Sequence, residues 1–298
     1  MEFIRSSLLK DYTTATEVKK IDLPVNPLSH LIISLDGYNV TDEATLAEII
    51  AFINKVTVTH MGKTVVDIES EDLYGLNSYL FRRRPILTQK LATDDAARCL
   101  SLIVPFGRRV FDPDECYPAT RKGELTLSLD TTVPSASLDN STLNIEAVEL
   151  VGASPTHHMK TTMLTAAAPG ATGDRDIDLP IGNELIAVQI RMTTFPTTSS
   201  HTYGVDVAKI LVDNKEFGYS AARAQCMVGD MMLRVDGQHG SIAAQGNIQP
   251  SKVVWMDYDP AGNGMFLLDT KGKSRVNLRF NMGVDEATYI TILERVAA

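Results

Sequence analysis

Cysteine is scarce in this 298-residue chain: Cys99, Cys116 and Cys226 are the three, widely spaced and without a CxxC pair. An odd, scattered set excludes a disulfide framework and leaves buried or half-buried free thiols as the expectation. Aromatic residues make up 6%, and tryptophan occurs once, as Trp255, on a segment expected to be a core strand. No run of about 18 apolar residues occurs, so no transmembrane helix is expected. Met1 to Lys10 lack both a secretory apolar stretch and a small-residue cleavage site, so synthesis and folding in a cytoplasm are expected. Basic residues are the minority, 28 against 37 acidic, for a net charge of −9. That balance argues against wrapping nucleic acid or binding it sequence-specifically as a main task.

Catalytic signatures are missing as well. GxSxG, HExxH and a Walker loop are absent. The six histidines make no HxH pair, and His157-His158 are adjacent, so on a strand they point to opposite faces and chelate poorly. This excludes a bicupin-type metal enzyme, and no cofactor is expected. Asp257 and Asp259, with Asn263, have some oxygen-ligand character, which leaves a calcium ion or a plain polar loop open there. The sequons at Asn39 and Asn140 have little meaning without a secretory route.

What the chain does contain is a repeat. Ile21-Asp22-Leu23-Pro24 recurs as Ile177-Asp178-Leu179-Pro180, an offset of 156. The apolar runs that follow begin at Leu31 and Leu185, and the next strands are Lys55 to Thr59 and Val207 to Val212. Helix-like stretches then start at Ser70 and Ser220, each serine placed to cap its helix. Lys122 to Leu129 matches Lys271 to Leu278 at offset 149, and Leu143 to Leu150 matches Tyr289 to Val296 at offset 146. The offsets shrink steadily, as expected if the second copy lost loop residues.

Alternation such as Leu125-Thr126-Leu127-Ser128-Leu129 predicts strands with one dry face. About eight such strands per half suit a jelly roll. The expected fold is therefore all-β with short helices, as two tandem jelly-roll barrels. Residues 1–20 are expected to be an N-terminal arm, 21–151 the first jelly roll, 152–176 a linker rich in Gly, Pro and Ala, and 177–298 the second jelly roll.

Two fused barrels of this size, each with a helix-like insertion after a mid-domain strand, resemble the double jelly-roll major capsid proteins of tailless, often membrane-containing icosahedral viruses. The resemblance covers residues 21–298, is closest in size to those of compact bacteriophages, and rests on architecture. It implies a virion capsid protein made in the host cytoplasm, with pseudo-hexagonal homotrimers tiling a shell. It also implies partners: other copies in a trimer–trimer lattice, minor or penton capsid proteins, and an internal lipid membrane. By position, the terminal segment corresponds to contacts with neighbours or the inner surface, through Phe3, Ile4, Leu8 and Leu9 as an apolar face beside Arg5 and Lys10. Arg82-Arg83-Arg84, just before Pro85, reads as the cationic end of a helix, or as a site for an acidic neighbour, a phosphate or a lipid headgroup. The alternatives are a two-domain jelly-roll carbohydrate-binding or glycan-cleaving protein, weakened by the few aromatics, and a tail or fibre component of another phage type.

Overall fold

Alternating apolar and polar residues become strands because only that register buries one face of the pleat. In a computed structural model the described residues are 1–40, 44–85, 94–132, 138–168, 170–195, 202–231, 234 and 252–298. The chain divides into two units, one holding Met1–Lys160 and Ala297–Ala298, the other Thr161–His239 and Gln249–Val296.

The first unit contains β1 (Glu2–Thr13), β2 (Glu17–Asp22), β3 (Leu28–Asn39), α1 (Leu46–Ile50), β4 (Ile53–His60), β5 (Lys63–Glu69), α2 (Ser70–Phe81), β6 (Ala97–Pro105), β7 (Leu125–Thr131) and β8 (Leu138–Val151). One sheet runs in the order β1-β8-β3-β6, and a second carries β5-β4-β7-β2. Leu31, Ile33 and Leu35 of β3 and Leu125, Leu127 and Leu129 of β7 are all buried at every second position. β9 (His157–Ala166) takes the chain onward.

The second unit contains β10 (Gly173–Leu179), β11 (Glu184–Met192), β12 (Val205–Val212), β13 (Lys215–Glu216), β14 (Ala222–Arg223), α3 (Ala224–Asp230), β15 (Val253–Asp257), β16 (Leu268–Asp269), β17 (Val276–Met282) and β18 (Thr288–Ala297). Here the orders are β9-β18-β11-β15 and β10-β17-β12-β13, with β14 also on β12 and β16 on β11. One core joins Val188, Ile190, Ile290 and Ile292 of the first sheet to Ile210, Leu278 and Phe280 of the second. Trp255 is buried on β15, as expected.

Strand pairing makes the repeat explicit. Leu127 has Ile21 and Val58 as its two cross-strand partners, and Leu278 has Ile177 and Ile210. The true equivalence of β7 and β17 is therefore two residues off the match read from Lys122 and Lys271. The repeat also reaches further than expected. β1 stands to β8 as β9 stands to β18, each next to the last strand of its half.

This corrects two expectations. Residues 1–20 are not an arm: they form β1 and most of β2, hydrogen-bonded into sheets. Residues 152–176 are not an unstructured linker: they contain β9 and the start of β10. Glycine, proline and alanine mark only the turns between these strands. The helix caps are corrected as well. Ser70 sits inside α2 and donates its hydroxyl to Ile50 and Ile53 carbonyls, while the N-cap is Glu69. Ser220 lies before α3, whose N-cap is Arg223, and donates to Glu216. A strand–helix junction in which nearby backbone carbonyls compete for the hydroxyl leaves the serine no reason to turn to its own helix. α1, by contrast, has a full capping box between Thr45 and Glu48. The three cysteines form no disulfide; Cys116 is buried and Cys99 half-buried, but Cys226 is exposed, against expectation.

Candidate intersubunit surface

β1 is an outermost strand, paired with β8 from Glu2↔Val151 to Thr13↔Thr142. Its unpaired backbone edge is a template for another chain unless something blunts it. Successive side chains point to opposite faces of a strand, so Phe3 and Ile4 cannot share the single apolar face expected of Phe3, Ile4, Leu8 and Leu9. Register shifts at Ser7/Leu9 and Leu9/Tyr12 divide the strand further. Phe3 and Ile4 are 65% and 45% exposed, whereas Leu8 and Leu9 are half-buried. The ring of Phe3 meets Phe111 edge-on at 5.7 Å, and Phe111 meets His30 in the same way at 5.2 Å. Arg5 is engaged within the sheet by an ion pair with Glu146 of β8. Ser6 donates to Glu149 Oε1 at 3.1 Å.

Behind this strand His30 is buried, with its Nδ1 2.9 Å from Ser29 Oγ. The same Ser29 oxygen accepts from Phe111 N at 2.7 Å. Burial, helped by the positive charge of Arg5, pushes the His30 pKa down to about 4.

The three arginines lie on a different element. Arg82 is the C-cap of α2, in the left-handed region at φ 56°. Arg82 and Arg83 are exposed and Arg84 is half-buried. Cations at this position complement the carbonyl end of the helix. The structure thus places the two candidate groups on separate elements, β1 and α2.

A third charged feature went unread in the sequence. β10 is an edge strand with Asp174, Asp176 and Asp178 exposed on one face. Arg279 of β17 forks onto Asp176, Arg275 bonds Asp178 at 2.5 Å, and Asn281 bonds Asp174 at 2.7 Å. Hydrogen bonds from the arginines hold the Asp176 and Asp178 carboxyls below the usual range. The signal was present in the spacing, acids at every second residue of 174–178 and donors at every second residue of 275–281. Acids with this spacing on an edge strand discourage pairing with further strands.

The loop at Asp257 and Asp259 carries a cation of the protein's own. Arg234 pairs with Asp257 Oδ2 at 2.8 Å and also donates to the Asp259 carbonyl. Asp259 Oδ1 accepts from Gly264 N at 2.7 Å. Of the two readings left open for this loop, its carboxylate is met by a guanidinium, and no group of three or more metal-ligating side chains occurs among the described residues.

No protein-family model matches the sequence, and no curated protein does. Solved structures match along its whole length. The major capsid protein P2 from bacteriophage PM2 is 16% identical, covering 99% of this chain and 98% of its own, with a TM-score of 0.65. The STIV MCP is 13% identical, covering 100% and 97%, with a TM-score of 0.73. The PBCV-1 virus capsid is 9% identical, covering 99% and 93%, with a TM-score of 0.64. The fold is a double jelly roll.

In a double jelly roll each unit is closed by two sheets whose strands alternate in chain order. That order explains why β1 is an edge strand, although nothing in its composition says so. It also explains why the repeat can tolerate shrinking loops: the pairing partners, not the loop lengths, define the unit.

Proposed function

We propose that this chain is the major coat protein of a tailless icosahedral virus, a bacteriophage by its size, acting in assembly rather than in catalysis. The observation that carries the reading is the double jelly roll matched end to end by capsid proteins. Its physical sense is geometric. Two similar units per chain give six per trimer, so a threefold assembly acquires a nearly sixfold outline and tiles a shell.

In this reading Phe3, Ile4, Arg5, Leu8 and Leu9 on the edge strand β1, and Arg82, Arg83 and Arg84 at the end of α2, are contact residues. They face neighbouring subunits or the inner surface. Exposed apolar groups beside unpaired backbone are what a further strand or subunit would cover. Minor or penton proteins and an internal lipid layer are the other partners, and the chain is made in the host cytoplasm. The carbohydrate-binding alternative has no matching structure to support it.

Light scattering on the purified chain tests the reading. The expected result is a particle three times the 32.6 kDa chain mass, with larger shells at high concentration. A species that stays at one chain mass at every concentration would overturn it.

A further inference from the structure

Asparagine is followed by glycine once in this chain, at Asn263-Gly264. The pair lies in the turn between β15 and β16, where Asn263 is exposed. An asparagine side chain loses ammonia when the nitrogen of the next residue attacks its amide carbon and closes a five-membered succinimide. The step needs access to that nitrogen, a base for its proton, and a donor for the oxygen that gains charge. This turn supplies all three.

Gly264 supplies the access. It has no Cβ to shield its nitrogen, and its φ of 75° is one that a side chain resists. Asp259 supplies the base: its Oδ1 accepts from Gly264 N at 2.7 Å, so the proton to be lost already points at a carboxylate. A neutral carbonyl in that place would only shield the N–H, whereas a carboxylate polarises it and offers the proton a destination. Asp259 is only 3% exposed and is fixed along its backbone. Its N donates to Asp257 Oδ1 at 2.8 Å, and its carbonyl accepts from Gly262 N at 2.9 Å and from Arg234. Met265 supplies the donor. Its N meets Asn263 Oδ1 at 3.0 Å, on the oxygen that turns negative in the tetrahedral intermediate.

We propose that Asn263 of the folded chain converts itself to aspartate and isoaspartate through a succinimide closed by Gly264 N, with Asp259 as the base. A bond forms between Gly264 N and Asn263 Cγ as Asp259 takes the amide proton. The Cγ–Nδ2 bond then breaks, and Nδ2 leaves as ammonia with that proton. Water opens the ring at either carbonyl carbon, giving the ordinary or the rearranged main chain. In sum, an amide and water become a carboxyl group and ammonia, and neither oxidant nor cofactor enters.

The product alters the surface of the second unit. It adds one negative charge to a chain already at −9, close to Asp259. Isoaspartate also inserts a methylene into the main chain. That resets the turn carrying Met265 and Phe266, which are 70% and 56% exposed. The change runs one way and needs no partner, so it marks the age of the folded chain. This chemistry is independent of the coat-protein reading.

Mass spectrometry of the full chain tests it. Trypsin releases Val253–Lys271, in which Asn263 is the only amide side chain, so a gain of one mass unit there reports this residue. The native chain is held at neutral pH beside the same chain unfolded in guanidinium chloride. Expected is conversion roughly a hundredfold faster in the native chain, the lower end of what a positioned base contributes. Enzymatic methylation of isoaspartate must rise in step. Asp259→Asn is expected to bring the native rate down to that of the unfolded chain. The amide it introduces precedes Pro260, which has no N–H and closes no ring. Asn263→Gln must show no gain over the same period. A native parent that converts no faster than the unfolded one overturns the proposal, whether or not Asp259→Asn folds. So does an Asp259→Asn variant that converts as fast as the parent. Light scattering on the same samples decides the coat-protein reading separately.

Discussion

Arg279 on β17 lies directly across from Asp176 on the edge strand β10, and its Nε and Nη2 reach the two carboxylate oxygens at 2.5 Å each. A guanidinium fork on a carboxylate is the most directional of ion pairs. Both groups are exposed, so the pair adds little to stability. Its larger effect is on the edge, where charge discourages strand addition. Replacing Asp174, Asp176 and Asp178 together by Thr is therefore expected to leave the urea midpoint nearly unchanged and to produce irregular aggregates in dynamic light scattering. A variant that stays as monodisperse as the parent contradicts this role. The depressed carboxyl pKa values of Asp176 and Asp178 fix the sign with pH: the small contribution is present above the ordinary carboxyl range and lost as pH falls through the depressed values.

His30 and His158 are held neutral, their pKa values pushed from 6.5 down to about 4 by burial. Lys160, His157 and His60 add to the effect on His158, and Glu115 opposes it. Below the unfolded value the unfolded chain binds protons that the folded chain does not. Stability is thus complete above pH 6.5 and declines as pH falls toward about 4. For His30 the shift corresponds to about 3 kcal/mol. Urea unfolding at neutral pH and near the lower end of that window is expected to show the loss, and His30→Gln is expected to remove part of the pH dependence. Identical slopes for parent and variant would show that His30 is not the group involved.

Leu127 and Leu278 occupy equivalent, fully buried places, each between two cross-strand partners. Cutting either to alanine leaves a cavity and is expected to lower stability by about 2–5 kcal/mol. The two substitutions act on different cores. In a denaturation monitored by Trp255, which lies in the second unit, Leu278→Ala is expected to shift the transition more than Leu127→Ala. Equal shifts would mean that the two units unfold as one.

Gly204 has no room for a side chain. A Cβ there would lie 1.9 Å from Glu286 Oε1 and 3.0 Å from Met192 Cβ. That carboxylate is already committed, accepting from Thr193 N at 3.0 Å and from Thr193 Oγ1 at 2.5 Å. Gly204→Ala is expected to displace it and lower the melting temperature by several degrees, a loss of about 1–3 kcal/mol. Glu286→Ala should destabilise by a similar amount, and the double variant by less than the sum. Strict additivity would show that the two residues do not act through one contact.

Much of this molecule was legible before folding was considered. The period of two in Leu125 to Leu129 and the recurring Ile-Asp-Leu-Pro define strands and a duplication, because alternation is a local property and repetition a linear one. The candidate surface was only partly legible. Phe3, Ile4, Leu8 and Leu9 were visible as apolar residues near a terminus, but a short apolar segment carries no sign of the edge it joins. Its partner, Glu2↔Val151, lies at the far end of the unit's sequence.

The sequence by itself determined the kind of structure: alternating strands, in two copies, with few aromatics. Tertiary structure alone decided where the apparent arm and linker belong, since long-range pairing draws both into sheets. It decided that Arg234, 23 residues from Asp257, supplies a cation to the loop where a local reading of Asp257 and Asp259 left calcium or a plain polar loop open. Local chemistry specifies how a segment prefers to lie, while closure of a sandwich specifies which distant segments it meets.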